Sequence, residues 1–147
     1  MSADRVSQRR KSRRVAVQSL YWLESQPWDE LRDVIHSISE ECKLGPKGQQ
    51  YALSLARTVI EKRGDYAQEL GAATLNWDPD RVGRLEHIIV SLALAEWDLA
   101  NEDTPPKVVL NEAVTLAAEF IGEDGSSFVN GILDAIGHRR GLLEGRR

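Results

Sequence analysis

Apolar residues recur every three or four positions along most of this chain, which is the spacing of amphipathic helices. In the second such stretch, for example, Leu31, Ile35, Ile38 and Cys42 fall on one face. No segment alternates convincingly between apolar and polar residues. The sequence therefore predicts an all-α bundle of about seven helices. The predicted helices contain residues 15–23, 31–42, 46–59, 66–73, 82–99, 109–121 and 128–136.

Proline, glycine and small polar residues mark the predicted helix ends. Pro46 suits the first turn of the third helix, and the Asp-Pro pair at residues 78–79 predicts the start of the fifth, expected to be the longest. Gly122 ends the sixth helix. Residues 123–125 are then predicted to form a tight turn, and Ser126 is the predicted N-cap of the last helix.

Charge divides the sequence into three parts. Residues 1–14 hold six Lys or Arg against one acid and form a basic N-terminal arm. Residues 15–137, the predicted helical domain, hold nine Lys or Arg against 21 Asp or Glu, and residues 138–147 form a short basic C-terminal tail. A basic arm on an acidic domain attracts polyanions at one place and repels them elsewhere. This predicts a localised nucleic-acid site.

The arginines of the arm favour single-stranded RNA. Arg9 and Arg13, like Arg10 and Arg14, are four residues apart, so an early helix start would align them as two adjacent columns. Arginine outnumbers lysine five to one in the arm, and a planar guanidinium both grips phosphate and stacks on unpaired bases. The alternative is a solvated basic tail without specificity.

Other classes of function lack their signals. No apolar run is long enough to span a bilayer and no signal peptide is recognisable, so a cytoplasmic location is expected, with no membrane partner. Cys42 is the sole cysteine, and Gly45 to Gly48 lacks the spacing of a phosphate-binding loop. No nucleophile elbow is present. We therefore expect no enzyme, cofactor or metal site. The histidines lie in three different predicted helices: His36, His87 and His138.

Three segments carry a family resemblance. Residues 9–21, RRKSRRVAVQSLY, join a basic run to an (A/V)xQxLY pattern, and residues 85–97, LEHIIVSLALAEW, form an apolar helix. Residues 105–133 combine PPKVVLNEA with an acidic turn and FVNGIL. In this order and spacing the segments resemble the NusB family of bacterial transcription antitermination factors. Residues 24–80 match loosely. Departures from the family pattern include Ala95 and Trp97 in the apolar helix and the extra Trp28 and Trp77.

The resemblance implies a fold of two roughly perpendicular three-helix units. It also implies binding of single-stranded boxA leader RNA together with NusE, the ribosomal protein that doubles as a transcription factor. That pair recruits other Nus factors to RNA polymerase, so that ribosomal RNA operons are read through termination signals. An acidic domain suits a basic ribosomal protein. Relatives are monomers or dimers, so a homodimer remains open.

The resemblance also implies the site residues. For Ser126 the alternative is a plain helix cap, for Phe128 and Tyr21 a core position, and for Glu86 a solvated face. Two residues match positions at the ribosomal-protein interface: Tyr21 and Glu86. The residues that match RNA-binding positions are Arg9, Arg10, Lys11, Arg13, Arg14, Gln18, Asp124, Ser126, Ser127 and Phe128.

Two other functions compete with this interpretation. A stand-alone helical adaptor would bind only protein, with an incidental basic arm. A relative of the N-terminal RNA-binding domain of ribosomal RNA cytosine methyltransferases would share the helical pattern. The sequence contains neither a cofactor-binding βαβ unit nor a catalytic cysteine motif, which favours a free-standing factor.

Overall fold

The computed structural model describes residues 3–23, 28–75 and 82–144. Within these ranges the chain is helical and contains no strand, which confirms the all-α prediction. The predicted start of the fifth helix at residues 78–79 lies outside the described residues. The helices are α1 (Ala3–Trp22), a 3-10 helix (Trp28–Glu30), α2 (Leu31–Cys42), α3 (Pro46–Glu61), α4 (Arg63–Ala73), α5 (Arg84–Leu99), α6 (Pro106–Phe120) and α7 (Glu123–Arg139).

The chain divides into two compact units, Met1–Glu61 and Lys62–Arg147. In the first unit, α1 packs on both α2 and α3. Gly48 permits close packing near the start of α3, because a Cβ at this position would overlap the Leu44 side chain. On α1, Ser12 Oγ lies 2.9 Å from the carbonyl oxygen of Gly48. The first halves of α1 and α3 are therefore held side by side.

The second unit is built around α5. Nine successive α5 residues, from Ile89 to Trp97, are buried, because α4, α6 and α7 all pack against this helix. Nine buried positions in a row need neighbours on every side, which explains the nearly continuous apolar run in the sequence. The longest helix is α1 with 20 residues, and the prediction that the fifth helix is the longest was wrong. None of the described helices combines the length and the apolar character that crossing a membrane requires.

A polar network ties α4 to the rest of the second unit. The Arg140 guanidinium donates to Glu69 Oε2 at 2.7 Å and to Asp98 Oδ1 at 2.9 Å. The buried Tyr66 hydroxyl donates to the same Asp98 carboxylate, and Lys62 Nζ lies 3.3 Å from it. Because these side chains come from α4, α5 and the residues flanking α4 and α7, opposite charges join several elements here.

The network shifts the pKa values of its members. Burial by itself would raise the pKa of the Asp98 carboxyl, but the hydrogen bond from Tyr66 and the Arg140 guanidinium outweigh burial and hold this pKa below its usual value. Burial, reinforced by the hydrogen bond to the Asp98 carboxylate, raises the pKa of the Tyr66 hydroxyl. At neutral pH the network therefore contains a neutral Tyr66, a charged Asp98 carboxylate and a charged Arg140.

Candidate nucleic-acid interface

The predicted RNA-binding cations lie within α1. The helix begins at Ala3, although the apolar pattern predicts a start at Val15, so the charge boundary at residue 14 falls inside one continuous helix. Residues 3–14 contain no glycine or proline and are rich in arginine, which favours helix. Asp4 in the first turn interacts favourably with the helix dipole. The cations are thus held on a regular scaffold.

One face of α1 presents an exposed line of side chains, here called the α1 stripe: Arg10, Arg14, Gln18 and Tyr21. The spacings of four, four and three residues place all of them on the same side of a helix. From the first to the last residue the stripe is about 16 Å long at 1.5 Å per residue. Tyr21 is 43% exposed, which decides its placement: it is a surface residue and not a core residue.

The second predicted column of guanidiniums faces the first unit itself. Arg13 is only 4% exposed, so its side chain packs within the first unit and does not lie on the exposed face of α1. Arg9 is half-buried, and its guanidinium carbon lies 4.0 Å from the centre of the Tyr51 ring. The reason is periodicity: Arg13 shares a face with the buried Ala16 and Leu20. Lys11 is half-buried beside the stripe.

A cleft of about 860 Å³ opens between the start of α1 and the start of α3. This α1–α3 cleft is lined by Arg5, Arg9, Lys47 and Tyr51, among others. Sequence reasoning missed three of these residues. Arg5 stands four residues before Arg9, a signal that the sequence does contain, whereas Lys47 and Tyr51 join the site only through the packing of α1 on α3.

The start of α7 differs from its prediction. Residues 123–125 are the first turn of the helix, not a tight turn before it, and the N-cap residue is Gly122 with a φ of 115° that favours glycine. Ser126 is therefore not the N-cap, and its hydroxyl donates to the Glu123 carbonyl oxygen at 3.0 Å. Phe128 is 5% exposed, so the core alternative holds and its ring does not lie at the surface. Asp124 and Ser127 are exposed.

Glu86 lies in the first turn of α5 and is half-buried. Its carboxylate folds back over Gly83, the N-cap residue, so closely that a Cβ on residue 83 would stand 2.6 Å from Oε1. An acid in this position interacts favourably with the positive end of the helix. Glu86 thus has a structural contact of its own besides any partner it binds.

Acidic, histidine and cysteine side chains do not assemble elsewhere into a metal-binding group of three or more within the described ranges. Asp134 and His138 in α7 form one pair, with the His138 Nε2 atom 3.4 Å from Asp134 Oδ1. Among the residues that the structure describes, the strongest site candidate is therefore the cationic part of α1 with its neighbours.

Comparison with known proteins agrees with the fold. The model of the NusB family matches residues 10–138. The transcription antitermination protein NusB of Trichlorobacter lovleyi is 32% identical over 128 residues, which cover 87% of this chain and 89% of the relative. A crystal form of T. maritima NusB superposes with a TM-score of 0.76 at 25% identity, covering 88% of this chain and 90% of that one.

A third similarity concerns the fold only. A chain in the crystal structure of a plectonemic RNA supercoil superposes with a TM-score of 0.77 at 23% identity, covering 93% of this chain and 99% of that chain. The protein is thus an all-helical protein of two compact units, and its first helix is rich in cations. Within that class the chain belongs to the NusB family, and the family resemblance inferred from its motifs is confirmed.

Proposed function

We propose that this protein is a transcription antitermination factor that binds single-stranded boxA leader RNA jointly with the ribosomal protein NusE. In this role it supports read-through of ribosomal RNA operons in the cytoplasm, and it reaches other Nus factors and RNA polymerase through the RNA–protein complex. The observation that carries the proposal is the α1 stripe, in which two arginines, a glutamine and a tyrosine share one exposed face. Membership of the NusB family supports it.

The order of side chains along the stripe suggests how two partners share it. Arg10 and Arg14 suit phosphate oxygens and unpaired bases, because a guanidinium donates in a fork and stacks on planar groups. Gln18 offers both a donor and an acceptor one turn further on. Tyr21 ends the stripe with an aromatic ring for the protein partner. RNA and NusE would then touch along one helix, which favours cooperative binding.

The remaining predicted residues belong to the second unit. Asp124 and Ser127, exposed in the first turns of α7, are proposed to contact RNA through hydrogen bonds, next to backbone amides that favour phosphate. Glu86 is proposed to meet NusE, and the excess of acidic residues in 15–137 suits a basic partner. Phe128 supports this region by packing and not by stacking on a base.

The proposal is tested by fluorescence anisotropy with a boxA-like strand and a scrambled strand over a salt series. Changing Arg10 and Arg14 together to Gln should weaken boxA binding about tenfold and reduce the salt slope by about two, one for each phosphate contact. The matched control changes Arg32 and Arg57 to Gln, which removes the same charge from exposed positions on α2 and α3.

Three results would contradict the proposal. Equal affinity for both strands would remove specific recognition, and equal losses in the stripe and control variants would reduce binding to net charge. NusE binding that depends on Tyr21 without any RNA binding would favour a protein adaptor instead.

A further inference from the structure

The α1–α3 cleft has the size and chemistry of a ligand site. Its volume of about 860 Å³ falls within the range of small-molecule pockets, which is about 300–1,000 Å³. Three of its lining residues are cations, Arg5, Arg9 and Lys47, against one acid, Asp4. Arg5 and Lys47 are exposed at the mouth of the cleft. A net positive, concave surface favours an anion.

The start of α3 adds to this positive potential. The Gln49 amide donates to the Gly45 carbonyl oxygen at 2.9 Å, which closes the first turn of the helix. The amides of Lys47 and Gly48 precede that bond, and first-turn amides have no acceptor within their own helix. Both residues line the cleft. A phosphate placed between Arg5 and Lys47 would therefore also meet the positive end of the helix dipole.

The inner wall of the cleft is planar and aromatic. Arg9 stacks on Tyr51, with 4.0 Å between the guanidinium carbon and the ring centre, and both side chains line the cleft. Unpaired bases stack on arginine planes and on aromatic rings. The cleft thus combines a region for a phosphate with a wall for a base, which are the two parts of a nucleotide.

The cleft is separate from the α1 stripe. A helix turns by about 100° per residue, so Arg5 and Arg14, nine residues apart, point in roughly opposite directions. A strand bound along the stripe reaches the cleft only by passing around the beginning of α1. The two surfaces can therefore be disabled independently.

We propose that the α1–α3 cleft binds one nucleotide of the RNA strand, with its phosphate between Arg5 and Lys47 and its base against the Arg9–Tyr51 pair. The inference rests on the proposed function in taking RNA as the source of the nucleotide, and it adds a second contact surface to the stripe. A strand held at both places is fixed in direction as well as in position.

Photocrosslinking locates the nucleotide directly. A boxA-like strand with 4-thiouridine at one position at a time is irradiated with the full-length protein, which is then digested with trypsin. Residues 48–57 follow Lys47 and end at Arg57, so they form one tryptic peptide, which contains Tyr51. We expect one strand position to crosslink to Tyr51 in this peptide. Adducts confined to other peptides at every strand position would overturn the proposal.

Affinity provides the second test. Lys47→Glu should weaken binding of the strand about fivefold, because it replaces a phosphate contact with a repulsive charge. It should not lower the melting temperature, since an acid in the first turn of a helix is favourable. Arg57→Glu is the matched control: it makes the same charge change at an exposed position ten residues further along α3 and should alter affinity less than about twofold.

The two tests separate the cleft from the stripe. If Lys47→Glu binds RNA normally while the Arg10 and Arg14 double variant does not, the cleft proposal is wrong and the proposed function stands. If Lys47→Glu loses affinity while the double variant does not, the cleft proposal stands and the stripe is not the RNA surface. If both bind normally, both proposals are wrong.

Discussion

The start of α1 and the network around Arg140 are both rich in charge, yet they differ in balance. Residues 1–14 carry six cations and one acid, whereas the network matches Arg140 and Lys62 with Glu69 and Asp98. A matched set joins helices within one unit and has little left to offer a ligand. A segment with an excess of cations attracts a polyanion. Balance of charge, more than amount, distinguishes the structural network from the proposed binding surface here.

The largest effect on folding is expected at Arg140. Arg140→Ala leaves the Glu69 and Asp98 carboxylates without the guanidinium that bridges them, and should lower the free energy of unfolding by about 2 kcal/mol. Arg140→Lys keeps the charge but loses the fork and should recover only part of this loss. Urea denaturation measures both, with Arg139→Ala, an exposed neighbour, as the control. Equal stability of all three variants would show that the network does not hold the second unit.

Arg13 and Arg14, which are neighbours on α1, test the same comparison within one helix. Arg13→Ala should destabilise the fold by about 1–2 kcal/mol, because it empties a buried position, while Arg14→Ala should cost less than about 0.5 kcal/mol. Per folded molecule, Arg14→Ala should weaken RNA binding more than Arg13→Ala does. Thermal melts and anisotropy on the same samples decide this. A surface role for Arg13 would be indicated if its variant melted like the wild type but lost RNA.

A smaller effect is expected at the proposed NusE interface. Glu86→Lys and Tyr21→Ala should each weaken the complex about tenfold, which equals about 1.4 kcal/mol. Because Glu86 also contacts Gly83, Glu86→Gln serves as a variant that preserves size while removing charge. Calorimetry with NusE measures the affinities, and circular dichroism checks the fold. Unchanged affinity in both variants would move the interface elsewhere.

The smallest effect concerns pH. The pKa of Asp98 is lowered in the folded protein, so its contribution to stability is present above the unfolded value of about 3.9 and is lost as pH falls through the folded value. The difference in unfolding free energy between wild type and Asp98→Asn should therefore be about 1 kcal/mol near neutral pH and shrink below about pH 4. A difference that grew on acidification would contradict the sign of this shift.

The sequence predicted those parts of the fold that bury a regular apolar face. The starts of α2 at Leu31 and of α3 at Pro46 agree with the structure, because apolar spacing and a first-turn proline define them. The start of α1 was missed because residues 3–14, ten of which are polar, have helix propensity without an apolar face. The sequence left the placement of Phe128 undecided. A family motif suggested an exposed ring, while the spacing of Phe128 to the buried Ile132 and Ile136 favoured the core.

The candidate site was only half predictable for a related reason. Composition identified the cations, but which of them reach solvent depends on the face that α1 turns toward the first unit. Once the helix is known to begin at Ala3, the spacing of Arg13 to Ala16 and Leu20 identifies it as buried. Tyr51 could be assigned to the site only from the structure, since the packing of α1 on α3 brings it to Arg9.

Because α1 is one continuous helix, it fixes the spacing of the side chains along it. Its 20 residues span about 30 Å without a kink-forming proline or glycine, so the distance and the angle between Arg10 and Tyr21 are both fixed. Inserting a single alanine after Gln18 would keep every proposed contact residue, yet it would swing Tyr21 by about 100° around the axis. In the proposed complex, Tyr21 would then no longer present NusE on the same side as the RNA-binding arginines, although both surfaces would keep all of their side chains.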